Sequence, residues 1–195
     1  MDRERRQMRS IASKFETREA EGELSIEGYF AVFNATYELW EGATESVAPG
    51  AFANTLGEDI RALIDHETRL VLGRNKAGTL ELREDSHGLW GRIRINPNDQ
   101  DAVNLYERVK RGDVNQCSFG FDIVSEETDF REDGSVHWTI TEVRLYEVSV
   151  VTFPAYEDTA VSARKREFAQ LQQRENEQWR HEMRSRLKGD KKHGT

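Results

Sequence analysis

Between Leu24 and Phe153 the chain is written in short apolar runs broken at close intervals by turn residues, and only one stretch has helical spacing. LSIEGYFAVFN, from Leu24 to Asn34, reads as a strand, with Gly28 where it bends or another backbone comes close. TLELRED and LWGRIRIN, joined by Asp85-Ser86-His87-Gly88, read as a β-hairpin. VNQCSFGFDIVS, 114–125, is a further strand, Arg131-Glu132-Asp133-Gly134 a hairpin turn, and Val136 to Phe153 a long β-rich run that Pro154 ends. Ala62-Leu63-Ile64 is a short apolar run ending at Asp65-His66. Residues 41–57, with Gly42, Pro49, Gly50 and Gly57, read as loop with a helical turn around Phe52 to Leu56. The exception is a helix capped by Asn98, with Asp99 and Asp101 in its first turn, Val103, Tyr106 and Val109 at helical spacing, and Gly112 as its stop. Six or more closely spaced strands with one internal helix argue against a parallel α/β sheet. They predict a mainly β chain with helices (α+β), a β-barrel or sandwich.

Of the 195 residues 36 % are hydrophobic and 33 % charged, enough apolar material for one core but not for a core along the whole length. The ends are the poor parts. Residues 1–22 are polar with few anchors and suggest a flexible N-terminal arm. From 164 to 195 the chain reads as a charged helical tail with a thin stripe of Phe168, Leu171, Trp179, Met183 and Leu187. That leaves 23–163 as the folded domain. No run of 18 apolar residues exists, and no apolar stretch follows the basic start, so neither a transmembrane helix nor an ordinary secretory signal is expected. Cys117 is the one cysteine, which excludes an internal disulfide and a four-cysteine zinc site, and makes a reducing, intracellular setting the default. The net charge is −8, yet residues 1–9 carry +2 and 162–195 carry +5, leaving −15 on 10–161. So acidic a body disfavours nucleic-acid binding by the folded domain.

Three segments hold candidate chemistry. Along VNQCSFGFDIV the strand period places Cys117, Phe119, Phe121 and Ile123 on an apolar face, and Ser118, Gly120 and Asp122 on the other. Ser118 beside a side-chain-free glycine has open room above its hydroxyl; taken alone, it also reads as an ordinary surface serine. Glu147 lies within Leu145, Tyr146, Val148, Val150 and Val151, with Ser149 on its face. Burying a carboxylate there is costly, so Glu147 either faces solvent on an edge or has a buried partner such as histidine or arginine. His66 ends an apolar run beside a polar turn, where a lone histidine is commonly structural. None of the other histidines (His87, His137, His181, His193) has metal-ligand spacing, and HExxH is absent. Together the three make a serine nucleophile, a histidine base and an acid able to orient it.

The succession GYFAVFN, APGAF, DHETRLVLGR, QCSFGFDI and LYEVSVVTFPAY, in that order from Leu24 to Ala163, closely resembles the prohead (capsid maturation) protease family of HK97-like tailed bacteriophages. The resemblance implies a closed β-barrel flanked by helices, like the herpesvirus assembly proteases. It implies a serine endopeptidase that cleaves the scaffold segment of the major capsid protein, and itself, inside the prohead in the host cytoplasm. His66 would be the general base, Ser118 the nucleophile and Glu147 the third member, where the herpesvirus relatives use a second histidine; Asp65 and Glu142 are substitutes for that place. Cys117, facing the other way, would be an inert core thiol, and Arg144 a candidate oxyanion donor beside backbone N–H groups. No cofactor, metal or membrane is implied. A homodimer is possible by analogy. The alternative is a non-catalytic capsid-assembly or scaffolding protein on the same fold.

Overall fold

In the computed structural model the described residues are 7–12, 15–20, 22–131, 133–153 and, in the tail, 164–166, 168–170, 173–174, 177–181 and 183–184. The chain divides into two units, residues 1–157 and 158–195. In the second, the described residues between 164 and 184 are helical, and Trp179 and Met183 are exposed. Leu171 and Leu187 lie outside the described residues.

The first unit is built on two long antiparallel strands, β10 (Gln116–Phe130) and β11 (Val136–Val151), and between them Arg131 N–H donates to the Ser135 carbonyl at 3.0 Å. On the far side of β10 lies β1 (Gln7–Ala12), antiparallel. The far side of β11 is shared. β5 (Ala43–Val47) runs parallel to its Val136–Ile140 half, and β6 (Arg61–Ile64) parallel to Glu147–Val150. β4 (Tyr37–Trp40) and β7 (Glu67–Arg74) complete a seven-stranded sheet as hairpin partners of β5 and β6. A second, four-stranded antiparallel sheet has the order β2 (Glu16–Ala20), β3 (Glu23–Val32), β9 (Gly88–Ile95), β8 (Leu80–Glu84).

The core joins the two sheets through side chains. Ile26, Phe30, Leu89 and Ile93 of the small sheet belong to one buried cluster with Phe119, Phe121, Leu145 and Val148 of the large one. On β10 the residues foreseen for the apolar face, Cys117, Phe119 and Phe121, are fully buried. The Cys117 thiol donates to the Tyr29 carbonyl at 3.1 Å, which seats it in the core as an inert thiol would be. α1 (Gln100–Arg111) adds Ala102, Leu105, Tyr106 and Val109. Its cap is Asp99 rather than Asn98: the Asp99 carboxylate accepts from the N–H groups of Asp101 and Ala102 at 3.0 and 3.3 Å. Gly112, at φ 88°, stops it as expected.

Three expectations are corrected. The sheets are not closed into a barrel, so the herpesvirus-like closed barrel is not met: among the described residues no strand pair joins one sheet to the other, and each sheet keeps edge strands. A barrel and a face-to-face pair of sheets bury one face of every strand alike, so alternation could not separate them. Helices are also fewer than foreseen, the described residues of the first unit holding α1 and a short 3-10 turn over Asn75–Ala77. Finally, the segments read as arm and loop contain strands β1, β2 and β5, whose Arg9, Glu45 and Ser46 are buried polar groups, and β4 forms in 37–40, for which the sequence suggested no element. Among the described residues no helix is long and apolar enough to cross a membrane.

Candidate active site

The register of β10 on β11 assembles the polar face foreseen for β10. Ser118 stands opposite Ser149, and Gly120 opposite Glu147, so these four share one side of the sheet. Gly120 is essential to the arrangement. A Cβ there would collide with the Glu147 carboxylate, so the missing side chain makes room for that group. Gly120→Ala is expected to push the carboxylate aside and cost about 1–3 kcal/mol of stability by overpacking. Catalytic efficiency should fall about 10²-fold through the misplaced group. Denaturant midpoints and kcat/KM check both, and unchanged values would mean the carboxylate is not held by this gap.

His66 arrives from the parallel neighbour. β6 and β7 are joined by a two-residue turn of Asp65 and His66, with φ of 46° and 60°. Both dihedrals are left-handed, the geometry of a tight hairpin turn that prefers glycine at its second place. A histidine held there is backbone strain kept at a specific point. The turn is pinned to the end of β11: Asp65 N–H donates to the Val150 carbonyl (3.0 Å), and the Asp65 carboxylate accepts from Thr152 N–H (2.7 Å).

The imidazole so placed meets the buried acid. His66 Nδ1 lies 2.7 Å from Glu147 Oε1, and the side chains are 15 % and 4 % exposed. Ser149 Oγ donates to the second carboxylate oxygen at 2.6 Å. An ionised carboxylate only accepts, so the nitrogen facing it carries a proton, and in the neutral imidazole Nε2 then keeps the lone pair. Nε2 is buried and makes no hydrogen bond among the described residues. An imidazole held in this way is able to take a proton at Nε2.

Ser118 is fully buried, not a surface serine, and its hydroxyl is bonded to the neighbouring strand: Oγ donates to the carbonyl of Arg9 on β1 at 3.0 Å. β1 thus lies along the strand that carries Ser118, with Ser10 opposite it. The substitutes for the acid are occupied elsewhere. Asp65 holds Thr152, and Glu142 accepts from the Asn54 amide at 2.9 Å. Arg144 is exposed, its guanidinium 5.4 Å from the Tyr146 ring centroid. Among the described residues no three His, Cys, Asp or Glu side chains gather as metal ligands would. Sequence reasoning missed Arg9 and Glu45, the charged pair under β1. One sits in a polar stretch and the other between turns, and nothing local marks either.

The sequence profile of the caudovirus prohead serine proteases matches residues 13–174, and the chain belongs to that family. The prohead protease of Enterobacteria phage HK97 is 31 % identical over 144 residues, which are 72 % of this chain and 60 % of that relative. The chain therefore spans about three-fifths of the relative's length. Among solved structures, the bacteriophage T4 capsid assembly protease superposes with a TM-score of 0.53 at 12 % identity, covering 77 % of this chain and 98 % of that one. At that identity the likeness concerns the fold alone.

Proposed function

We propose that the chain is a serine endopeptidase of prohead maturation, acting inside the assembling capsid in the host cytoplasm on the scaffold segment of the major capsid protein. The observation that carries this reading is the His66–Glu147 pair at 2.7 Å, with Nε2 left bare on the face that also holds Ser118. In this reading Ser118 Oγ rotates from the Arg9 carbonyl to His66 Nε2 and attacks the scissile carbonyl carbon as its proton passes to the imidazole. Glu147, itself held by Ser149, keeps the tautomer and stabilises the imidazolium. The C–N bond then breaks, the leaving amine takes the proton from His66, and water hydrolyses the Ser118 ester by the same steps reversed. Acyl transfer of this kind uses no cofactor. The protease domain is 23–163, and the basic tail 164–195 is a segment open to self-cleavage.

One observation favours the second reading, a non-catalytic assembly protein: Ser118 is wholly covered and bonded to Arg9. Co-expression of the chain, wild type and Ser118→Ala, with the major capsid protein of its own phage separates the two. Shortening of the capsid band by wild type alone is the expected result. No cleavage by either, with both retained in assembled shells, would replace the protease reading with the scaffolding one.

A further inference from the structure

The strand that covers Ser118 is bound as a substrate strand would be. β1 is antiparallel to β10 and adds its backbone to the edge of that strand, the standard way an extended peptide docks on a sheet. Successive residues of β1 face opposite sides. Ser10 stands opposite Ser118, while Arg9 stands opposite Phe119 with its guanidinium 5.7 Å from the Phe121 ring centroid. Ser118 Oγ contacts the carbonyl of Arg9, so the Arg9–Ser10 peptide is the one presented to the hydroxyl. Arg9 therefore occupies the position of the residue whose carbonyl would be attacked.

Its side chain enters a charged slot. Nε and Nη2 of Arg9 donate to the two oxygens of Glu45 at 2.5 and 3.0 Å, a bidentate pair. Arg9 is 7 % exposed and Glu45 not at all. The surroundings are dry: burial pushes the Tyr37 phenol far above its ordinary pKa, and the neighbouring Glu45 charge adds to the rise. A buried ion pair is a poor source of stability, since apolar residues of the same volume usually do as well. What a buried carboxylate does well is discriminate, because a neutral or acidic side chain placed against it leaves its desolvation uncompensated.

We propose that Glu45 is the specificity determinant of the reaction, selecting arginine or lysine as the residue on the N-terminal side of the cleaved bond. Arg9 is the built-in occupant of that slot, and a substrate strand takes its place when β1 leaves the β10 edge. This rests on the reading of Ser118 as the nucleophile. Glu45 lies on β5, two strands away from Ser118 across β11, so it can set the preference without taking part in proton transfer.

The test uses the full chain and peptides built on Gln7–Ala12 in which position 9 is Arg, Lys, Leu or Glu, with products read by mass spectrometry. In parallel, the new C-terminus of the capsid fragment from co-expression is sequenced. Wild type should cut after Arg and Lys at least about 100-fold faster than after Leu or Glu. Glu45→Gln should bring that ratio within about tenfold while still cutting the Leu peptide. Should Glu45→Gln cut nothing, Glu45→Asp, which keeps the charge, must retain a ratio above about ten. Cleavage indifferent to position 9, a ratio unchanged in Glu45→Gln or lost in Glu45→Asp, or a capsid fragment ending in neither Arg nor Lys would overturn the role of Glu45 and leave the protease reading standing. If peptides and capsid protein both stay intact, the protease reading itself fails and takes this one with it.

Discussion

Replacing Ser118, the proposed nucleophile, by alanine is expected to lower cleavage by about 10⁴-fold or more, because nucleophile and base work as a unit and either alone is nearly useless. The change removes one hydroxyl and creates no clash. Its structural cost is the hydrogen bond to the Arg9 carbonyl, about 1 kcal/mol. Activity and stability should thus separate cleanly: the denaturant midpoint moves slightly while cleavage of the capsid protein disappears. Cys117→Ala supplies the contrast. It alters the neighbouring residue in the chain, but the thiol lies on the core face against Tyr29, so activity should persist. If Ser118→Ala keeps cutting, or Cys117→Ala abolishes cutting in a folded protein, the assignment of the two faces of β10 is reversed.

Glu147→Gln should come next in size, with a loss of about 10³- to 10⁴-fold at nearly unchanged stability. A glutamine fits the same space beside Gly120 but can turn its NH2 group toward His66 Nδ1. That favours the tautomer with the proton on Nε2, the nitrogen that has to accept one. Ser149 accentuates the effect, since its hydroxyl already donates to the other oxygen and leaves the NH2 group the His66 side. Single-turnover cleavage of the capsid protein measures the step directly. A fully active Glu147→Gln chain would remove Glu147 from the relay and turn attention to how else Nδ1 is held.

Much of this site was legible because it lies within two strands. Alternation along 117–123 separates Ser118 and Gly120 from the phenylalanines, and a carboxylate among valines and leucines at 147 asks for a partner. The meaning of Gly120 was only half legible. Open room was evident, but its occupant is Glu147, a residue 27 positions on, brought opposite by the β10–β11 register. His66 was legible as a residue at a turn, whereas its approach to Glu147 depends on β6 running parallel to β11, a pairing that no local pattern encodes. Arg9 and Glu45 were illegible: each is an unremarkable charge in its own segment, and although Arg9 pairs level with Phe119 and Glu45 level with Trp138, the two meet as a buried ion pair only in the folded molecule.

By itself the amino-acid sequence determined a mainly β chain with one capped internal helix, the apolar face of β10, and the candidate serine, histidine and carboxylate that acyl transfer of the proposed kind would use. These follow from short-range periodicity and residue chemistry, which the chain carries locally. Only the tertiary structure decided that the sheets stay open, that His66 and Glu147 meet, and that β1 lies over Ser118 with Arg9 buried on Glu45. Each of those depends on which distant strand edges pair, and backbone hydrogen bonds, identical for every residue but proline, leave that choice to the packing of the whole.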